Sequence, residues 1–234
     1  YITNAPQADV FLVMARTDPS STGSNGISAF LVDATLDGIR VGDPPKMLGN
    51  EGSHACYVWF ENCEVPADSI VGGQEGRGLK AALRGINHAR LHVAATCVGQ
   101  AIRLITEMTE YASKREQFGK RIGEFGQIAA MLADSRAEMA AGRALCLDCA
   151  KQFDAGDQIP FIDIASAKLF CSEMVSRVAD RAVQVMGGLG YMEDLSDVPR
   201  LFRDVRLFRI FEGASQVQQG NIARSMMKDN ESLS

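Results

Sequence analysis

The chain has 234 residues, of which 46% are hydrophobic and 23% charged, and a formal net charge of −5. That length allows one large domain or two small ones with a real core. The composition is that of an ordinary globular protein, the acidic balance argues against a nucleic-acid binder, and no apolar run approaches the ~18 residues a membrane span needs.

Tyr1 to Pro6 carry neither a basic nor an apolar leader pattern, so no signal peptide is expected there. The first residue is not Met, so a fragment or a processed product is expected. The next segments read as β. Asp9–Arg16 and Ile27–Val32 are mostly apolar runs separated by a turn-rich stretch, Ser20–Gly26, and Ile39–Val41 and Ala55–Phe60 are further strand candidates. Their connections are too short for helical crossovers, so the pairing should be antiparallel. A glycine-rich joint, Val71–Gly78, closes this part.

From Leu79 the period becomes helical. Leu79, Leu83, Ile86, Val93, Cys97, Val98, Ile102, Ile105 and Met108 mark a first long stripe. A second helix is expected over about Glu124–Phe153, with Ile128, Leu132, Met139, Leu145 and Cys149 on its stripe. A third is expected over Ile162–Met186, and shorter pieces over Val198–Phe211 and Gln216–Lys228. Long amphipathic helices with short connections predict an antiparallel bundle. The expected class is α+β: an antiparallel β segment over 1–75, part of a barrel-like domain, then a four-helix-bundle-like domain over 76–234.

The six cysteines are scattered, several of them in helical stretches, which fits reduced thiols better than a disulfide framework. Cys146 and Cys149 form a lone CxxC without a second pair, and His88 and His92 lie at i, i+4 without an evident third ligand, so no metal site is expected. Gly187-Gly188-Leu189-Gly190 closes a helix rather than following a strand, which favours a helix cap over a dinucleotide loop. Arg203, Arg206 and Arg209 suit either phosphates or a solvated, ion-paired face. Arg115–Lys120 is either a plain interhelical turn or a place for an anionic cofactor at a helix N-terminus. Glu212 stands at a helix-to-helix junction beside Gly213, with Ser215 and Gln218 read as a capping box for the last helix. It is either a solvated loop carboxylate or a base facing an apolar pocket, where burial would raise its pKa.

In this order, the segments resemble the acyl-CoA dehydrogenase family over the whole chain. The resemblance is carried by Tyr1-Ile2-Thr3-Asn4, Asn87-His88-Ala89-Arg90, Arg115 to Lys120 (R-x-x-F-G-K), Gln184-Val185-Met186-Gly187-Gly188 and Phe211-Glu212-Gly213-Ala214-Ser215-Gln216. It implies α,β-dehydrogenation of an acyl-CoA thioester, with FAD as cofactor and Glu212 as the base. Tyr1, Ile2 and Thr3 would lie along the flavin. Arg115, Gln117, Phe118, Gln184, Gly187 and Gly188 would meet the FAD of a neighbouring subunit, with Gly213 and Gln216 also on the cofactor. Asn87 and Arg90 would lie on the substrate side. Some members carry the base at the position of Ala89, which cannot accept a proton.

The pattern is departed from at Ala214, where Thr is usual, and at Gly126, where Gln is usual. The family's N-terminal helical domain and the start of its β domain have no counterpart in these residues. The resemblance further implies an electron-transferring flavoprotein as acceptor and a homodimer or homotetramer. It implies the cytoplasm for a bacterial source and the mitochondrial matrix for a eukaryotic one. Two other readings stand beside this one: an acyl-CoA oxidase of the same superfamily, and a non-catalytic helical module for oligomerisation or partner binding.

Overall fold

A computed structural model describes residues 1–156 and 161–231. The chain divides into two compact units, Tyr1–Ile86 and Asn87–Ser234.

The first unit is built from short antiparallel pairs. β2 (Val10–Arg16) pairs with β3 (Ile27–Asp33) over seven residues, from Val10 opposite Asp33 to Arg16 opposite Ile27. β1 (Ile2–Thr3) pairs with β5 (Ala55–Cys56), and β4 (Ile39–Val41) with β6 (Val58–Phe60). The expected single strand Ala55–Phe60 is thus two strands, broken at Tyr57 because its halves bond to different partners. Phe11, Val32, Ala5 and Cys56 form the centre of a small core, with Val13, Phe30, Ile39, Val58 and Val65 packed around it. Pairs this small are stable only through such a shared apolar face.

The second unit is helical. α1 (Gly78–Lys114) begins in the first unit and supplies its later turns here. α2 (Gly126–Asp154), α3 (Phe161–Met186) and α6 (Ser215–Glu231) are the other long helices. α4 (Gly188–Tyr191) and α5 (Val198–Val205) are short. The core joins Val93, Cys97, Ala101, Leu104 and Met108 of α1 with Met139, Cys146 and Cys149 of α2 and Cys171, Met174, Val178 and Ala182 of α3. The apolar stripe differs from the expected one in detail. Leu83, Ile102 and Leu145 are exposed, and Ala94, Ala101 and Cys146 take the inward positions, since small side chains let helices approach closely.

Two further differences bear on the site. The segment between α1 and α2 is a hairpin of β7 (Glu116–Gln117) and β8 (Lys120–Arg121), not a plain turn. The expected helix Val198–Phe211 is α-helical only to Val205, tightens to a 3₁₀ turn over Arg206–Arg209, and then leaves helical geometry.

Candidate active site

The 3₁₀ turn ends with the amides of Ile210 and Phe211 bonding to Leu207 O, at 2.8 and 3.2 Å. Glu212 and Gly213 follow with φ of 51° and 90°. A left-handed conformation is expensive for a residue with a Cβ, and here it must be imposed by the surroundings.

Three buried side chains from three helices impose it. Arg90 of α1 donates through Nε to Glu212 O at 3.2 Å. Gln218 of α6 donates through Nε2 to Glu212 O at 3.1 Å and to Gly213 O at 3.3 Å. Lys168 of α3 donates through Nζ to Gly213 O at 2.8 Å. Lys168 and Gln218 are 0% exposed and Arg90 is 7% exposed. Asn87 orients Arg90 by accepting from its Nη1 at 3.0 Å, and the Phe161 ring lies 5.2 Å from the guanidinium.

The flanks are tied as well. Glu173 Oε1 accepts from Arg209 Nε at 2.9 Å and from Ser215 Oγ at 2.6 Å, and the Phe208 and Phe211 rings stack at 5.7 Å. The capping box expected at Ser215 and Gln218 is not formed. Ala214 O accepts the first α6 amides, from Val217 and Gln218, while Ser215 and Gln218 spend their side chains on Glu173 and on the turn.

Glu212 itself is half-buried, and neither its carboxylate nor its amide N–H makes a hydrogen bond to another described residue. Its charge acts through space on two cations. Burial lowers the pKa of Arg90 against the opposing pull of Glu212. Burial also lowers that of Lys168, against the charges of Cys97, Glu212 and Glu173. At Glu173, burial pushes the carboxyl up, but the hydrogen bonds from Ser215 and Arg209 and the arginine charges outweigh it, and the net shift is downward. A carboxylate without a hydrogen-bond partner can accept a proton from a ligand, and the unbonded N–H of the same residue can donate to a developing oxyanion.

The structure therefore brings together Asn87, Arg90, Glu212 and Gly213, with Gln216 exposed on the first turn of α6. Two other groups of expected cofactor residues occur in this unit. Arg115, Gln117 and Phe118 sit on the β7–β8 hairpin, all exposed, Phe118 at 92%. Gln184 is exposed near the end of α3, Gly187 ends that helix with φ 57°, and Gly188 opens α4. A Cβ on either glycine would meet nothing within 4 Å. Tyr1, Ile2 and Thr3 belong to the first unit, where Ile2 and Thr3 are exposed on β1 and the Tyr1 ring lies 4.6 Å from that of Tyr57.

Sequence reasoning missed Lys168, Gln218 and Glu173. A signal existed for Lys168. It falls between Ile164 and Cys171 on the apolar stripe of α3, a register in which a lysine is out of place. Elsewhere, all six cysteines are free, His88 stacks on Phe153 at 4.3 Å, and Arg203 and Arg209 are ion-paired with Glu193 and Glu173. Among the described residues no group of three His, Cys, Asp or Glu side chains could hold a metal ion. A separate cleft of ≈ 540 Å³ is lined by Glu107, Glu110, Glu193 and Asp197 among others, a charge that does not suit an anionic nucleotide.

The family model for the acyl-CoA dehydrogenase middle domain matches residues 1–63, and that for the C-terminal domain matches residues 76–227. The chain belongs to the acyl-CoA dehydrogenase family. It is 37% identical over 230 residues to a probable short/branched chain specific acyl-CoA dehydrogenase of Dictyostelium discoideum, covering 98% of this chain and 54% of that protein. Among solved structures it resembles an acyl-CoA dehydrogenase from Geobacillus kaustophilus with a TM-score of 0.91 and 31% identity, covering 96% of this chain and 58% of that one. It also resembles PigA, solved with FAD and proline, with a TM-score of 0.91 and 30% identity, over 96% of this chain and 57% of PigA. The chain thus spans a little over half the length of these relatives.

Proposed function

We propose that the chain forms the base-bearing part of a flavin-dependent acyl-CoA dehydrogenase, with Glu212 removing the α-proton of an acyl-CoA thioester. The observation that carries this reading is the Glu212 carboxylate, without a hydrogen-bond partner among the described residues, on a left-handed turn whose two carbonyls are held by buried Arg90, Lys168 and Gln218. Arg90 and Lys168 place two buried cations at the carbonyls of the turn that carries this carboxylate. Negative charge that develops on the thioester oxygen as the proton leaves would be met by the Glu212 N–H, a kind of contact typically worth ~3–4 kcal/mol in acyl chemistry.

The residues fit a flavin nucleotide by their donor set. Arg115, Gln117 and Gln184 are exposed and make no side-chain hydrogen bond to another described residue, and the Phe118 ring, 6.2 Å from that of Phe125 in a T-shaped pair, is otherwise exposed. Arg115 would meet the pyrophosphate, Phe118 and Gln184 would flank the cofactor, and Thr3 would present its hydroxyl to the ring. When bound, FAD accepts the β-hydride. The proposed assembly is a homodimer or homotetramer in which Arg115, Gln117, Phe118 and Gln184 would meet the cofactor of a neighbouring copy. The electron acceptor proposed is an electron-transferring flavoprotein.

The test is Glu212→Gln in the flavin-loaded holoenzyme. Flavin content should be unchanged and turnover should fall by roughly 10²–10⁴-fold, the range of a positioned general base. Turnover close to that of the parent removes Glu212 as the base.

A further inference from the structure

Lys168 is the largest side chain among the described residues that is wholly shielded from solvent. It occupies the inward stripe of α3, where Ile164, Cys171 and Val175 are the neighbouring positions. Its ammonium has three donors, and the hydrogen bond it makes among the described residues is to Gly213 O, at 2.8 Å. It has no carboxylate within ion-pair distance among them; Glu212 and Glu173 act on it only through space. Burying an ammonium against one backbone carbonyl is unfavourable, and an apolar chain of the same length would pack at least as well. What the lysine adds is a short, charge-assisted bond to one atom of the turn that carries Glu212.

We propose that Lys168 is a positioning residue for the reaction: by holding the Gly213 carbonyl it fixes the Gly213–Ala214 peptide and so closes, from its C-terminal side, the left-handed turn on which Glu212 stands. This rests on the reading of Glu212 as the base. Glu212 O has two donors, Arg90 and Gln218, whereas Gly213 O has Lys168 at 2.8 Å and only the longer 3.3 Å contact from Gln218. Gly213, with no Cβ and φ 90°, is the residue of the turn freest to rotate. Without Lys168, nothing short remains on its carbonyl, the Gly213–Ala214 peptide can swing about Gly213, and the turn is held only at Glu212 O.

The experiment pairs Lys168→Met with Lys168→Arg. Amide exchange is followed by mass spectrometry on peptides covering 210–220 and 174–185 in the flavin-free protein, and kcat and KM are measured in the holoenzyme. In Lys168→Met, exchange at Val217 and Gln218, whose amides bond to Ala214 O, should accelerate about tenfold or more while α3 is unchanged, the mark of a local opening. kcat should fall about 10- to 100-fold with KM within about threefold, as expected of a misaimed group. Lys168→Arg, which keeps charge and donors, should restore slow exchange. If Lys168→Met does not fold, Lys168→Gln takes its place in the same measurements. Parent-like exchange at Val217 and Gln218, acceleration spread evenly over α3, or a KM rise with unchanged kcat each overturns the proposal. The two readings separate cleanly. An inactive Glu212→Gln with normal exchange in Lys168→Met removes only the positioning role. A fully active Glu212→Gln removes the base, and the exchange data still decide whether Lys168 fixes the turn.

Discussion

Consecutive left-handed residues at Glu212 and Gly213 mean that the candidate base is aimed by backbone conformation before any ligand arrives. Gly213 is required there for two reasons. Its φ of 90° disfavours a Cβ, and an added Cβ would overlap Gln218 Nε2 and come within 3.5 Å of Arg90 Nη2. Gly213→Ala should therefore destabilise the protein by ~1–3 kcal/mol, the usual range for a forced left-handed residue. It should also lower turnover by more than that loss of stability explains, because the donor it displaces holds the Glu212 carbonyl. Denaturant unfolding read beside kcat checks both, and a neutral substitution would show that the turn tolerates another geometry. At this scale the sequence was only half legible. Glu212 beside Gly213 at a helix junction could be found from residue order, but the capping box could not be tested against its competitor. The Ser215 hydroxyl prefers the Glu173 carboxylate, 42 positions away in sequence, and no local pattern reports such a partner.

The β7–β8 hairpin shows the same limit for an element. Two-residue hairpins want left-handed residues at both central positions, and Asn-Gly is the usual signal. Here those positions are Phe118 and Gly119, with φ of 54° and 79°. Phenylalanine hides the hairpin from sequence reading and is strained in the place it occupies, which points to a duty for its ring outside the hairpin. Phe118→Asn should raise the unfolding temperature of the flavin-free protein, since the strain of a non-glycine left-handed residue is ~1–2 kcal/mol. The same change should weaken flavin retention. A variant that loses stability, or that keeps its flavin as firmly as the parent, argues against that duty. The long helices were legible by contrast, because their 3.6-residue period is repeated over 26 to 37 residues. Which face turned inward was less so, because alanines and cysteines that count little on a hydropathy scale fill the inward positions, as Ala94, Ala101 and Cys171 do.

For the whole molecule, two ion-pair clusters link distant segments. Glu138 of α2 accepts from Arg177 Nε and Arg181 Nη2 of α3, each at 2.9 Å, and Glu173 of α3 ties down both flanks of the turn. Burial alone would raise Glu138, but the hydrogen bonds and charges of Arg181 and Arg177 outweigh it, and both carboxyls end below their ordinary value. A carboxyl with a depressed folded pKa binds fewer protons folded than unfolded. Its contribution is thus present above the ordinary glutamate pKa of about 4.3 and is lost as pH falls through the lower folded value. Thermal unfolding from pH 7 down to 3 should show the parent losing its advantage over Glu138→Gln and Glu173→Gln toward the acid end. Curves that stay parallel throughout would mean that the pairs do not contribute. The α+β class was readable because the period changes from two to 3.6 along the chain. The crossing partners that lock it, such as Arg181 with Glu138, were not, because charges at exposed helical spacings look alike whether paired or solvated.

The thiols carry a further consequence. Five of the six lie in the two cores, with Cys146 Sγ 3.7 Å from Cys171 Sγ, and only Cys63 is half-exposed. Burial pushes Cys97 up to about 12, and the contact with Cys146, together with burial, raises Cys171 as well. Such groups are poor nucleophiles while the helices stay closed. An alkylating reagent added to this protein would therefore act as a clock for breathing of its interior, with one fast tick from Cys63 and slow ones that keep time with the helices coming apart.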